Sequence, residues 1–249
     1  MNRHSYGIIY TMETLYTFVL KEIKQETEDI KTFVFEPQDA DFSWTAGQYL
    51  DWQLPHSNAD DRGERRWFSI ASAPSEGVVL LSSRFSPDGS TLKKRLLELS
   101  VGDVVQAKGP LGTFTAESNS ETLVLVAGGI GITPFRAILK ERAARGTLEN
   151  IVLVYGNRAE DNVPFKAEID QMAAAHPGFK VVYVYGQHIN ADLIRAELGS
   201  LDGKTYMISG LEKMVAAIEA SLQEAGVAKD HIQIDDFGGY DWTLKTAVY

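Results

Sequence analysis

The run Gly128-Gly129-Ile130-Gly131-Ile132-Thr133-Pro134 is the stretch of this sequence best suited to hold a charged ligand. It follows the apolar segment Leu123 to Ala127 and precedes a helical pattern. Glycines let a backbone bend sharply and approach a pyrophosphate, and the free amides of a helix N-terminus attract anions. Thr133 is placed to cap that helix, and Pro134 suits its first turn. Because Pro134 stands near where the third glycine of a GxGxxG motif would be, a tight turn without a ligand is the competing reading. Two further segments fall at the carboxyl ends of expected strands, where open parallel sheets bind ligands. They are Tyr155-Gly156-Asn157-Arg158 and Ser209-Gly210-Leu211-Glu212-Lys213-Met214. Arg158 serves either adenosine phosphate or ribose, or solvent alone. Ser209 is either part of a site or a helix cap.

An earlier constellation has different chemistry. Arg66-Trp67-Phe68-Ser69-Ile70-Ala71-Ser72 alternates so that Arg66 and Phe68 share one face of a strand and Trp67 and Ser69 the other. Downstream, Asp88-Gly89-Ser90-Thr91 offers small residues at a helix start, suited to a second anionic group. An ordinary aromatic strand with a terminal arginine is the plain alternative. The sequence has no Gly-x-Ser-x-Gly elbow and no His-Glu-x-x-His pair, and its five histidines are scattered. It has no cysteine, which excludes disulfides, thiol chemistry and cysteine-ligated zinc or iron–sulfur centres on this chain. Redox chemistry would therefore need a bound organic cofactor.

Two kinds of element must carry these residues. From about residue 13 to 116 short strands are expected at Leu15 to Lys24, Ile30 to Phe35, Gln48 to Leu54, Trp67 to Ala71, Val78 to Phe85 and Asp103 to Lys108. That spacing suits a small antiparallel β-barrel, with one helix over Ser90 to Leu99 capped by Ser90. From residue 121 apolar strands alternate with helices, from Thr122 to Ala127 through to His231 to Ile234. That rhythm implies a Rossmann-like parallel sheet covered on both faces. Gly109-Pro110-Leu111-Gly112 with Glu117 to Glu121 makes the expected linker, so the domains are placed at 13–116 and 117–249.

Composition limits the partners. The 249 residues, with 44% hydrophobic and 23% charged, suffice for two modest domains. A formal charge of -10 disfavours nucleic acid or an anionic membrane as a main partner. No apolar run approaches the ~20 residues of a spanning helix, and no signal peptide opens the chain, so neither membrane insertion nor export is expected and a cytoplasmic location is.

These motifs, in this order, resemble the ferredoxin-NADP reductase superfamily over about residues 13 to 240. The matching elements are Arg66 to Ser69, Gly89 to Thr91, Gly128 to Pro134, Ser209 to Met214 and, more weakly, Asp235-Asp236-Phe237. The resemblance implies FAD, with FMN less favoured, and NAD(P)H as hydride donor. Arg66 and the Gly89-Ser90-Thr91 turn would hold flavin phosphates, Phe68 would stack on the flavin, and Ser69 would bond near N5. Gly128, Gly129, Gly131, Thr133 and Pro134 would seat the dinucleotide, with Ser209 beside the nicotinamide. Ile70, Arg84, Arg158, Gly210 and Asp235 complete the implied cofactor-lining positions. Phe237 would cover the other flavin face, with Tyr240, Trp242 and Tyr249 as competing candidates. Ser69, Ser209 and Phe237 are the implied catalytic positions. Phe68 and Ser209 replace the tyrosine and cysteine common in the family. The implied activity is a flavoprotein reductase that delivers electrons to a separate ferredoxin- or flavodoxin-type protein. Free-flavin or ferric-chelate reduction, and a non-catalytic electron-transfer subunit, remain as alternatives.

Overall fold

The computed structural model describes residues 14–116 and 122–237. The expected linker segment 117–121 and the aromatic candidates Tyr240, Trp242 and Tyr249 lie outside them.

The first half is a curled six-stranded antiparallel sheet. Its strands are β1 (Leu15–Thr27), β2 (Ile30–Pro37), β3 (Tyr49–Gln53), β4 (Arg65–Ser69), β5 (Val79–Arg84) and β6 (Val104–Leu111), in the spatial order β4-β3-β6-β1-β2-β5. Alternation decides which side chains face inward. Phe18 and Leu20 of β1, Phe33 and Phe35 of β2, and Leu50 and Trp52 of β3 form one aromatic-rich core. Helix α1 (Thr91–Leu97) closes that core with Leu92 and Leu96, and the Ser90 hydroxyl caps it by accepting from the Lys93 amide at 3.3 Å. Gly109-Pro110-Leu111 proves to be the end of β6 rather than linker. A local turn signature loses there to pairing with β3, which places Leu111 opposite Tyr49.

The second half is a five-stranded parallel sheet. β7 (Thr122–Gly128), β8 (Ile151–Asn157), β9 (Phe179–Tyr185), β10 (Lys204–Leu211) and β11 (Ile232–Phe237) lie in the order β11-β10-β7-β8-β9. Both faces are apolar, as two separate clusters show. Leu123 and Leu125 of β7 pack with α2 (Ile132–Ala144) and α3 (Lys166–Ala175). Val124 and Val126 pack with α4 (Ala191–Leu198) and α5 (Glu212–Glu224) on the opposite side. From β7 the chain runs outward to β8 and β9, then returns to β10 on β7's other flank. The strand order reverses between β7 and β10, and a crevice at the carboxyl ends of such a pair is where open α/β sheets bind ligands.

Candidate active site

The glycine loop leaves β7 at this reversal point, and its glycines do different work. A side chain at Gly131 would overlap the Ser209 carbonyl oxygen and stand 2.7 Å from Gly210 Cα, so this glycine serves strand packing against β10. Gly128 and Gly210 share one notch, which the Met214 side chain fills, its Cε within 2.6 and 2.7 Å of where their Cβ atoms would be. Gly129 alone of the three loop glycines combines a left-handed φ of 51° with open space, bounded by Arg84 Nη2 at 3.6 Å from its Cβ position. It is therefore the loop glycine with open space above it. Thr133 is not the cap expected of it. It is the second residue of α2, and its buried hydroxyl donates to the Ile130 carbonyl at 3.1 Å. Pro134 is buried in the first turn, where its missing amide costs nothing.

Ser209 is a polar residue third from the end of the otherwise buried strand β10. It is fully buried in β10, in register between Ala127 of β7 and Asp235 of β11, so it caps no helix. Its hydroxyl donates to Asp235 Oδ2 at 3.4 Å. Burial raises the Asp235 carboxyl to about 6, with Asp236 adding to the rise and the Ser209 bond opposing it. A cavity of about 240 Å³ opens beside Asp235, lined by Tyr49, Gly112, Thr113 and Phe114 from the barrel side and by Gln233 and Ile234 of β11. Phe237 ends β11, half-buried, one register step beyond the pairing of Gly210 with Asp236.

The raised carboxyl gives a pH signature. The folded value of about 6 exceeds the ordinary 3.8, so between these the unfolded chain releases this proton while the folded one keeps it. Stability must fall as pH rises through that window and then level off. Asp235→Asn is expected to flatten that fall and to melt higher than the native protein at neutral pH. Thermal melts from pH 4 to 8 check this, and an unchanged profile in the variant contradicts it.

On the barrel side, Ser69 closes β4 opposite Tyr49, and Phe68 lies half-buried against the barrel core beside Leu50. Ile70 is a core side chain whose amide donates to the Gln48 carbonyl at 2.9 Å. Any flavin contact by Ile70 is thereby limited to its carbonyl. The Gly89-Ser90-Thr91 turn is engaged by the chain itself. The Thr91 amide donates to Asp60 Oδ2 at 3.0 Å, and the Thr91 hydroxyl accepts from the Asp60 amide at 3.0 Å. Asp60 also accepts from Arg62, which holds its carboxyl down at about 2. Arg66 Nη2 donates to the Arg62 carbonyl at 3.4 Å, so Arg62 and Arg66 stand together on the flank of this turn. Sequence reasoning passed over Asp60 and Arg62 because a polar loop offers no periodicity to single them out. Arg84, at the end of β5, pairs with Asp29. Arg158 follows β8 directly and is exposed. Among the described residues no histidine, aspartate and glutamate cluster could hold a metal ion.

Buried polar atoms without partners mark where a ligand is expected, since such groups are ordinarily hydrogen-bonded. Both amide atoms of Asn157, the last residue of β8, and Oδ1 of Asn162, in the loop beyond it, are in that condition, as are Asp51 Oδ1, His56 Nε2 and Arg136 Nε elsewhere among the described residues. The open Gly129 surface, the adjacent guanidinium and these amides fit a nucleotide's phosphates and hydroxyls. Half-buried Phe68 beside Ser69, with Arg66 on the same strand, fits a flavin ring and its phosphate chain.

A flavin-type barrel facing a dinucleotide crevice defines a nicotinamide-dependent flavoprotein oxidoreductase, and known proteins agree. Residues 17–116 match the oxidoreductase FAD-binding domain family and residues 125–220 the oxidoreductase NAD-binding domain family. The ferredoxin reductase component of 3-ketosteroid-9-alpha-monooxygenase from Mycolicibacterium smegmatis is 30% identical over an alignment of 243 residues that covers 91% of this chain and 68% of that protein. The crystal structure of Amycolatopsis cytochrome P450 reductase GcoB superposes with a TM-score of 0.78 at 25% identity, covering 90% of this chain and 70% of that one. A Neisseria gonorrhoeae ferredoxin NADP+ reductase with bound FAD and NADP shares the fold, with a TM-score of 0.76 at 19% identity over 90% of this chain and 98% of that one. The chain belongs to the ferredoxin-NADP reductase superfamily. It spans about three fifths of the length of the flavohemoproteins it also matches. Among the described residues no helix is long and apolar enough to cross a membrane.

Proposed function

We propose that this chain takes reducing equivalents from NAD(P)H onto FAD and passes them to a separate protein acceptor of the ferredoxin or flavodoxin type. The observation that carries the reading is the apposition of the two halves: Arg84 of the barrel overlies Gly129 of the dinucleotide loop, at the carboxyl ends of β7 and β10. Bound FAD supplies the hydride-accepting ring and the ability to release electrons one at a time. The protein's part is to orient and enclose. Phe68 offers an aromatic face with its back against the barrel core, and Ser69 offers a hydroxyl at the strand's end. Arg66, with Arg62 beside it, attracts the flavin phosphates. Gly129 and Arg84 seat the nucleotide's pyrophosphate, and Ser209 with Asp235 presents a hydroxyl and an exchangeable proton beside the cavity. Phe237 covers the flavin face that the nicotinamide must reach.

The purified protein is expected to be yellow, with about one FAD per chain. Anaerobic titration with NADH and with NADPH should bleach the flavin absorbance with at least one of them, and reduced protein should then reduce an added ferredoxin or flavodoxin. A protein that takes up no flavin, or whose bound flavin neither nucleotide bleaches, would refute the assignment. Bleaching followed by transfer only to free flavin or ferric chelate would refute the protein acceptor alone.

A further inference from the structure

We propose that Asp29 is a positioning residue for the nucleotide, fixing the Arg84 guanidinium over the glycine loop and linking it across to the second domain. This rests on the nucleotide reading above. Asp29 lies in the tight turn between β1 and β2, remote in sequence from every motif. Four contacts hold it in place and give it work, the nearest in sequence being the Thr27 hydroxyl, which donates to its Oδ1 at 3.1 Å. Its carbonyl accepts from the Phe85 amide at 2.7 Å, which pins the turn to the end of β5. Its Oδ2 pairs with Arg84 Nη1, and its Oδ1 accepts from Asn162 Nδ2 at 3.3 Å, a bond spanning 133 residues and both domains.

The pairing decides which edge of the guanidinium is presented. With Nη1 on Asp29, Nη2 is turned toward Gly129. The Lys93 ammonium fixes the Arg84 backbone by donating to its carbonyl at 2.9 Å. From behind, the Tyr155 hydroxyl donates to the Gly129 carbonyl at 3.0 Å. An anion over Gly129 thus meets a loop braced on one side and an oriented fork on the other. Guanidinium recognition of phosphate is geometric, and an orientation set in advance spares the ordering cost on binding. The same clasp holds Asn162, whose remaining Oδ1 is buried without a partner and suits a ribose hydroxyl.

A carboxylate beside an anion site could instead act only as a counter-charge, and the two roles predict opposite signs. If Asp29 positions Arg84, deleting it weakens nucleotide binding; if it merely neutralises Arg84, deleting it strengthens binding. Calorimetric titration of the FAD-loaded protein with NADH, NADPH and ADP-ribose distinguishes them. Asp29→Ala is expected to weaken binding about tenfold, or about 1.4 kcal/mol. Arg84→Ala should weaken it at least as much and reduce its salt dependence. The double variant should fall short of additivity, binding worse than Arg84→Ala only by what Asp29's hold on Asn162 contributes, and Asp29→Asn, which keeps an acceptor for Arg84, should restore most of the loss. Asn162→Ala, which removes the cross-domain bond together with the Oδ1 offered to the ribose, should cost several-fold and gives a second readout of the clasp should Asp29→Ala fold poorly. Unchanged or tighter binding in a normally melting Asp29→Ala protein, or full additivity in the double variant, would overturn the positioning role while leaving the nucleotide reading intact. A native protein that binds none of the three ligands would overturn both.

Discussion

Gly131→Ala is expected to destabilise the nucleotide half of the protein, not simply to empty its site. The added methyl would overlap the Ser209 carbonyl oxygen and lie 2.6 Å from the carbonyl carbon. These are backbone atoms of β10, which is hydrogen-bonded to β7 on one side and β11 on the other, so neither can step aside. Overpacking a core commonly costs about 1–3 kcal/mol, and a clash with paired backbone lies at or beyond the top of that range. For a protein of this size about 3 kcal/mol lowers the melting temperature by roughly 6–12 °C. Gly129→Ala makes the paired control. Its methyl meets open space, and its left-handed φ of 51° costs an alanine only about 1–2 kcal/mol. The fold should survive there while the methyl stands in the nucleotide's path. Thermal melts with parallel nucleotide titrations read both. A Gly131→Ala protein that melts normally but binds no nucleotide would reverse these assignments.

Arg136→Ala should be comparably damaging, through charge in place of shape. Only 3% exposed, this arginine of α2 donates to the Ala71 carbonyl at 2.9 Å, to both Glu76 oxygens at 2.9 and 3.1 Å, and to Glu168 at 2.7 Å. Its guanidinium also stands over the Phe165 ring, 5.1 Å from the centroid. Ala71 and Glu76 belong to the barrel and Glu168 to α3, so a single side chain joins both halves. Glu76 and Glu168 keep some water when Arg136 is removed, so the loss lies toward the lower end of the range for breaking a buried pair, about 3 kcal/mol. A double-mutant cycle with Glu76→Ala should show coupling above about 1 kcal/mol. Additive effects, or a melting temperature that hardly moves, would mean that the halves are held together elsewhere.

The two examples show what a sequence conveys and what it withholds. Alternation in β2 and unbroken apolar runs in β7 and β8 are local consequences of which faces are covered, so barrel and parallel sheet were both legible. Helix α4 runs from Ala191 to Leu198 between a capping Asn190 and a terminating Gly199, signals that are local in sequence. Gly131 was recognisable as special, but its partner is 78 positions away at Ser209, and only the folded strand order reveals packing instead of ligand approach. Arg136 was invisible because a polar residue on a helix is ordinarily a solvent residue. Helix α3 begins at Lys166, since Phe165 adopts a left-handed φ of 60° that no aromatic residue advertises. Asp60 was missed for a related reason: the Thr91 amide looked available, and the group that takes it comes from an irregular loop.

The barrel sheet is not sealed all round, since β4 and β5 are its two ends in the strand order. β4 is the more exposed, with Trp67 showing 68% of its surface on a strand only five residues long. A strand with one open edge and a bare aromatic is a template on which another molecule's strand can grow, the first step of sheet-mediated aggregation. This one is headed by the adjacent cations Arg65 and Arg66. A second copy docking there parallel and in register would set its Arg66 beside this one in the same short ladder, so the charge at the head of β4 resists that mode of self-association.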